Sequence, residues 1–209
     1  NTLMRFGKVF QQTYTRFLDL QKAEAQAREA QIEAALERVR SKTMAMHSSE
    51  DVGNTVATMF DELVKLGIET VRCGIGILHE NEPMEVWTAK SNPNGEMALI
   101  IGRLDMTVHP LLQDQYNAWK NKQLSFSYEM VGEDLKDYYK AINNLPDYPI
   151  RFDIESLPLK QVHTDFYFPE GALFAFTPEP IEIDDSQILK RFAGVFGQTY
   201  RRFLDLQKA

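Results

Sequence analysis

VHTDFYFPEGALFAFTPEP, at residues 162–180, contains two runs rich in aromatic and apolar residues, separated by Pro169, Glu170 and Gly171. Both runs have the composition of β-strands, and proline and glycine favour the tight turn between them. Two strands joined by so short a connection must run antiparallel. The stretch therefore predicts a hairpin over about residues 159–179.

Working outward from this hairpin, the chain predicts four further strands and five helices. Ser48 and Asp51 resemble a helix-capping box, and Gly67 is placed to end the helix that follows. The predicted strands lie at 69–80, 84–90, 96–105 and 124–130, and the predicted helices at 3–46, 51–66, 110–123, 133–145 and from 183 onward. Hairpin-connected strands with helices between them indicate an α+β fold, an antiparallel sheet flanked by helices.

The first and last helices share one sequence. Residues 3–23 align with 189–209 at a fixed offset of 186, and 16 of the 21 aligned residues are identical. The five differences are Met4/Lys190, Gly7/Ala193, Lys8/Gly194, Gln11/Gly197 and Thr15/Arg201. A long internal period is typical of tandem units, so we expect each unit to end in the helix that begins the next. On this interpretation the chain is one period of a longer array.

The long first helix carries apolar residues at heptad spacing. One row consists of Leu18, Ala25, Ile32, Val39 and Met46, and a second is lined by alanine at 23, 27, 30 and 34 together with Leu20. Either row predicts a parallel coiled coil formed by self-association. The alternative is a solvated linker helix without a partner.

Composition excludes several classes of protein. A formal net charge of −7 argues against a nucleic-acid partner, which requires a basic surface. No apolar run approaches the roughly 20 residues that span a bilayer. The single cysteine, Cys73, excludes an internal disulfide and suits a reducing compartment.

The order of the elements and the hairpin at 162–180 resemble a GAF domain, an α+β sensory module related to PAS. RFGKVFQQTYTRFLDLQKAEAQAREAQIEAALERVRSKTMAM, at residues 5–46, resembles the inter-repeat helix of bacterial sensor histidine kinases with tandem GAF-like domains. The resemblance implies a connector helix at 1–47, a GAF-like domain at 48–186, and the start of the next connector at 187–209. It also implies a cytoplasmic segment that relays a signal to a kinase output elsewhere in the parent protein.

The sequence lacks the motifs that mark the known chemistries of such proteins. Cys73 is followed by Gly74 within a predicted strand, so it is better interpreted as a structural thiol than as a bilin attachment site. NNLPDYPIRFD, at residues 143–153, does not reproduce the cyclic-nucleotide signature of the family. His47 and His163 lack the following acidic residue of a phosphoacceptor histidine, and scattered histidines predict no metal centre. We therefore expect no catalytic residues and no metal site.

A small-molecule site is the remaining hypothesis. The middle of the chain is dense in aromatic residues with polar tips, which commonly line ligand pockets. The resemblance places such a pocket between the sheet and the helices opposite the terminal helices. The candidate ligand-binding residues are Trp87, Arg103, His109, Tyr116, Trp119, Phe126, Tyr128, Tyr138 and His163. The alternative is that these residues are ordinary core.

The sequence thus favours a sensory module that relays ligand occupancy through paired long helices of a homodimer, with an unknown cofactor. The residues expected to pair or couple those helices are Leu18, Ala25, Ile32, Val39, Phe192, Phe196 and Phe203. One alternative function is a ligand-free spacer and dimerisation module in a tandem array. The other is an enzyme, which no motif in the sequence supports.

Overall fold

The order of helices and strands predicted from the sequence is confirmed. The computed structural model describes residues 2–48, 50–91 and 96–208. The helices are α1 (Thr2–Met44), α2 (Glu50–Lys65), α3 (Pro110–Lys120), α4 (Glu133–Asn143) and α5 (Ile183–Lys208). The strands are β1 (Arg72–Ile77), β2 (Met84–Ser91), β3 (Met97–Leu104), β4 (Ser125–Val131), β5 (Lys160–Phe168) and β6 (Gly171–Thr177).

The six strands form one antiparallel sheet in the order β3-β2-β1-β6-β5-β4. The predicted hairpin of β5 and β6 lies next to the centre of the sheet, with Phe168 opposite Gly171 at its turn. Gly171 must be glycine because a Cβ there would lie 1.9 Å from the carbonyl oxygen of Gly76 on β1. The turn residue of the hairpin is therefore also what lets β1 and β6 pair closely.

Helices cover both faces of this sheet. One face, formed by residues such as Ile75, Leu173 and Phe168, packs against α2 and α5, and α1 packs on those two helices. We call it the connector face. The opposite face, which includes Val86 and Phe174, is covered by α3, α4 and the segment 144–159, together called the α3/α4 layer. Because side chains alternate along a strand, each strand contributes neighbouring residues to opposite cores.

Both ends of α2 are capped at the residues that the sequence predicts. The Asp51 carboxylate accepts hydrogen bonds from the backbone N–H groups of His47 and Ser48, at 2.8 and 2.9 Å. At the other end Gly67 adopts a positive φ of 75°, and the N–H of Ile68 bonds the carbonyl of Leu63 at 2.9 Å. That pattern is a Schellman cap, which glycine permits without steric strain. The chain accordingly reverses at both ends of α2.

The C-terminal half of α1 packs within its own domain. It runs antiparallel to α2, where Arg38 pairs with Glu62 at 2.6 Å. It runs parallel to α5, where Arg191 bonds both Glu29 and Glu33, at 2.8 and 2.5 Å. The three helices thus form one layer over the connector face.

This packing corrects the predicted intermolecular seam. Ile32, Val39 and Met46 are buried in the chain's own core against α2 and α5, so they are not available to a second copy. The coupling residues of α5 occupy the same core: Phe192, Phe196 and Phe203. Heptad spacing was a sound indication of helix packing, but it is identical for a partner helix in the same chain. Leu18 and Ala25, nearer the N-terminus, are exposed.

Candidate functional site

A buried polar cluster lies between the sheet and the α3/α4 layer. It begins with Arg72, the first residue of β1, whose neighbour Cys73 faces the connector side. Because side chains alternate along a strand, the guanidinium of Arg72 points to the opposite face. Only 5% of Arg72 is accessible to solvent. The cluster therefore places a permanent positive charge in the interior.

Aromatic rings and hydroxyls surround this guanidinium. Its Nη1 donates to the Tyr139 hydroxyl at 2.7 Å, and that hydroxyl donates to Gln161 Oε1 at 2.6 Å. The guanidinium carbon lies 3.8 Å from the centre of the Phe176 ring and 5.1 Å from that of Phe152. Among the described residues, no carboxylate forms an ion pair with Arg72. Cation–π contacts offset part of the cost of burying the charge, but no anion neutralises it.

A second polar group adjoins the first on β5. The carboxylate of Asp165 is fully buried, lies 2.8 Å from His163 Nε2, and accepts a hydrogen bond of 2.8 Å from Gln115 Nε2 on α3. Two polar atoms of this group, Gln115 Oε1 and His163 Nδ1, are buried without a hydrogen-bond partner. Buried polar atoms are normally satisfied, so each of these two has capacity for one more partner.

A small cavity joins the two groups. It measures about 20 Å³, and its lining includes Arg72, Thr88, Gln115, Tyr138, Tyr148 and His163. That volume holds about one water molecule. Anything larger would have to displace part of the α3/α4 layer.

The tyrosine hydroxyls of this cavity are donors at neutral pH. Burial raises the pKa of Tyr138 well above its usual range, although the charge of Arg72 acts in the opposite direction. Burial also raises the pKa of Tyr148. Both hydroxyls therefore keep their protons and can donate to an acceptor, as the guanidinium can.

Four of the predicted ligand-binding residues lie in or beside this cluster. Tyr138 and His163 line the cavity. The ring of His109, which caps the N-terminus of α3, stands edge-on to Tyr138 with 5.4 Å between their centres. Tyr128 is next to His109 at 6.4 Å and is half-buried. The structure thus brings these residues to one place.

Two predicted residues do not belong to this site. Trp87 faces the connector side, where it packs in the core beneath α2. Arg103 is exposed on edge strand β3. The phase of the strands explains their position, because Thr88 rather than Trp87 faces the cavity.

The remaining aromatic candidates lie on α3 and on edge strand β4. Tyr116 and Trp119 are half-buried and border two open surface grooves, of about 550 and 460 Å³ respectively. Trp119 Nε1 donates to the carbonyl of Pro169 at 3.1 Å, which ties α3 to the β5–β6 turn. Phe126 contacts Tyr128 on β4 with 6.4 Å between ring centres. These residues are separate from the buried cluster.

Arg72, Gln115 and Asp165 are not among the residues predicted from the sequence. A signal for Arg72 was available, because an arginine within the apolar stretch VRCGIGI is unusual for a buried strand. Asp165 sits likewise in an aromatic strand. Gln115 has no such signal, since its burial depends on how α3 packs.

Cys73 is fully buried, and burial raises the pKa of its thiol to about 12. The thiol is therefore protonated and unreactive at neutral pH, in keeping with the structural interpretation. Among residues 2–48, 50–91 and 96–208, no group of three or more histidine, cysteine or acidic side chains is arranged to hold a metal ion. Within the same ranges, no helix combines the length and apolar character needed to cross a membrane.

Comparisons with known proteins find matches among solved structures only. No family model matches the sequence. No curated protein matches it either. Among solved structures, the chain is similar to the crystal structure of the GAF domain of A. aeolicus nlh2 in an inactive state, with 6% sequence identity and a TM-score of 0.46 over 86% of this chain and 99% of that one.

Proposed function

We propose that this chain is a GAF-like sensory module that binds a small molecule between the sheet and the α3/α4 layer and transmits the binding event to its long helices. The observation that carries the proposal is the buried Arg72, which has no carboxylate partner among the described residues and lies beside the unsatisfied atoms of Gln115 and His163. Unpaired charge in an interior costs stability, so its presence favours a functional role.

The chemistry of the cluster favours a ligand with a carboxylate group and a flat body. A guanidinium binds a carboxylate through two parallel hydrogen bonds. The hydroxyls of Tyr138 and Tyr148 supply further donors, and His163 Nδ1 can contact a polar group at the other end. The rings of Phe174 and Phe176 offer surfaces for stacking.

Binding such a ligand requires movement. The cavity of about 20 Å³ is far smaller than the roughly 300 Å³ of ordinary ligand pockets. The segment 144–159 is the part of the layer without a long helix, and it carries Tyr148 and Phe152 over Arg72. Displacement of this segment on binding would couple occupancy to a change of shape.

Strand β5 provides a route from this site to the helices. Its alternate residues face opposite sides: His163 and Asp165 belong to the buried cluster, whereas Phe166 and Phe168 enter the connector core. Phe168 packs against Phe196 of α5 with 5.4 Å between ring centres. A shift of β5 would therefore reach α5 directly, and α1 through the contacts of Arg191. In this proposal Phe192, Phe196 and Phe203 carry the coupling.

The setting of the module is part of the same proposal. The resemblance of its connector helix supports a place in the cytoplasmic portion of a bacterial two-component sensor histidine kinase. A homodimer would pair through the exposed part of α1, where Leu18, Leu20 and Ala25 remain uncovered. Leu206, the counterpart of Leu20 on α5, is exposed as well. That shared exposure supports a second copy, rather than the domain itself, as the partner of this helix face.

Thermal stabilisation by carboxylates tests the ligand site. Wild type, Arg72→Met and Arg103→Met are heated with and without millimolar acetate, succinate or benzoate. A ligand that binds only the folded state raises the Tm. We expect a rise in wild type and in Arg103→Met, where the lost arginine is exposed, but none in Arg72→Met. A rise of equal size in Arg72→Met, or no rise in wild type with any of the three, would contradict the carboxylate site.

A ligand-free spacer and dimerisation module is the second candidate, and the smallness of the cavity favours it. Native mass spectrometry of the purified chain separates the two candidates. Additional mass on the protein would support the sensor, whereas a protein of bare mass that also fails the carboxylate test would support the spacer.

A further inference from the structure

The repeated sequence lies in two different environments in one molecule. On α5, Phe192, Val195, Phe196, Tyr200 and Phe203 are buried against the sheet and α1. Their counterparts on α1 are Phe6, Val9, Phe10, Tyr14 and Phe17, and each is more than half exposed. We call these five residues the N-terminal stripe. Such a continuous apolar stripe on a soluble helix indicates a missing partner.

The differences between the two copies follow the burial of α5. Lys190, Gly194 and Arg201 are exposed, and there the first copy carries Met4, Lys8 and Thr15. The remaining two differences, Ala193 and Gly197, involve small buried residues. Every large buried residue from Phe192 to Phe203 is identical in the stripe. The N-terminal stripe therefore has the residues that fit one surface already seen in this structure, the connector face of the sheet.

We propose that the N-terminal stripe docks onto the connector face of a preceding unit of this same fold, as the α5 helix of that unit. The two units would then share one continuous helix, formed by α5 of the first and the remainder of α1 of the second. Both halves of this helix are seen here, since α5 is helical to Lys208 and α1 is helical from Thr2 to Met44.

The geometry of the parallel α1–α5 pair sets the spacing of the units. Arg191 contacts Glu29 and Glu33, so it lies level with residue 31. Its counterpart in the first copy is residue 5, because 191 minus 186 is 5. Successive units are therefore displaced by 31 minus 5, or 26 residues, of helix. At about 1.5 Å per residue this is an axial step of about 39 Å.

A second contact gives the same step. Gln207 Nε2 donates to the carbonyl of His47 at 3.0 Å, and the counterpart of residue 207 is residue 21. The separation of 47 and 21 is again 26 residues. Because α1 and α5 run parallel, neighbouring units point the same way along the shared helix. The arrangement is head-to-tail and leaves one stripe and one α5 end at its termini.

The difference between Gly197 and its counterpart Gln11 limits how closely the N-terminal stripe can approach the sheet. A Cβ on Gly197 would lie 2.6 Å from Cβ of Phe168, yet the first copy carries Gln11 at this position. The helix of the preceding unit must therefore stand slightly farther from its β5 than α5 does here. A Cβ on Gly194 meets nothing within 4 Å, so Lys8 is accommodated without change.

Transplanting the first copy into α5 tests whether it can serve as that helix. One variant carries Lys190→Met, Ala193→Gly, Gly194→Lys and Arg201→Thr, and a second adds Gly197→Gln. We expect the four-substitution variant to keep the wild-type circular dichroism and a single cooperative urea transition. The five-substitution variant should keep the fold with a lower midpoint. If the four-substitution variant loses cooperative unfolding, residues 3–23 cannot act as α5, and the proposal is wrong.

A two-unit chain, residues 1–209 followed directly by 24–209, tests the spacing. Each unit carries Cys73→Ala and a spin label at Lys140→Cys, an exposed position on α4. We expect one narrow distance distribution that is longer than the axial step of about 39 Å, because 26 residues are not a whole number of helical turns and the second unit is therefore also rotated about the shared helix. A broad distribution, or a distance clearly below this step, would overturn the shared helix.

The rival occupant of the stripe is a second copy of the single chain. Sedimentation of wild type and of a Phe10→Gln, Phe17→Gln variant distinguishes the two. If the stripe serves a preceding unit, the two proteins have equal mass at every concentration. If wild type dimerises and the variant does not, the stripe pairs copies of the chain, and the proposal is wrong.

Discussion

Residues 3–23 and 189–209 are nearly the same peptide, yet one projects into solvent and the other forms the centre of a core. Phe196 is completely buried, whereas its counterpart Phe10 is 65% exposed. Both segments are helical throughout their described residues. The comparison shows that this sequence specifies a helix in either setting. What each side chain contributes to stability depends on the surface that the helix meets.

Hydrogen exchange should show the largest difference between the two segments. Amides of residues 192–203 are expected to be protected by nearly the whole free energy of unfolding, typically 5–15 kcal/mol. Amides of residues 6–17 should have protection near zero, because a helix without tertiary contacts is marginal in water. Exchange followed by mass spectrometry of peptides from both ends measures this contrast. Equal protection of the two segments would mean that the stripe is already covered in the isolated chain.

Matched phenylalanine substitutions should give the next largest difference. Phe196→Ala removes a fully buried ring that packs against Phe168 and Tyr200, and should cost about 3–5 kcal/mol. Phe10→Ala should change the free energy of unfolding by no more than about 0.5 kcal/mol. Urea denaturation of the two variants and wild type supplies the measurement. A cost above about 1 kcal/mol at Phe10 would contradict the exposed state of the stripe.

Exchanging one small residue between the copies tests the closeness of the contact. Gly197→Gln places a side chain against Phe168 and should destabilise the fold by about 1–3 kcal/mol. The reverse change, Gln11→Gly, affects only helix propensity and should cost at most about 1 kcal/mol. A neutral Gly197→Gln would show that α5 can stand off the sheet without loss. That result would also remove the one misfit in the proposed docking of the first copy.

The element order was predictable because its signals are local. Neighbouring residues alone predict strand β5, the end of α2 at Gly67, and the helical form of the repeated segment. The partners of those elements were not predictable in the same way. Ile32 and Val39 have heptad spacing whether their neighbour is α5 of the same chain or another copy, and Trp87 and Thr88 differ only in which face of β2 is inward.

The candidate site required tertiary structure for the same reason. Arg72, Asp165 and Gln115 are separated by up to 93 residues, from 72 to 165. They come together only because β1 pairs with β6, β6 pairs with β5, and α3 packs on the sheet. His163 and Tyr138 could be proposed from residue type alone. The absence of a carboxylate beside Arg72, within the described residues, is a property of packing that no local pattern encodes.

Removing the contact that Arg191 makes between α5 and α1 should have the smallest effect on stability. The size of this effect depends on pH. A hydrogen bond from Arg191, with a further contribution from its charge, holds the pKa of Glu29 below its usual range. Because the folded-state pKa is lowered, the contribution is present above about pH 4.3 and is lost as the pH falls through the lowered value. Exposed pairs are weak, so Arg191→Ala should lower the Tm at pH 7 by less than about 4 °C.

Arg202→Ala, an exposed position on the same helix, serves as the control. The difference between the two variants should vanish in 1 M NaCl and should shrink as the pH falls below about 4.3. If the difference in Tm persists in high salt, Arg191 stabilises α5 through packing of its aliphatic chain. The axial alignment of α1 with α5 would then rest on the contact of Gln207 with His47 alone.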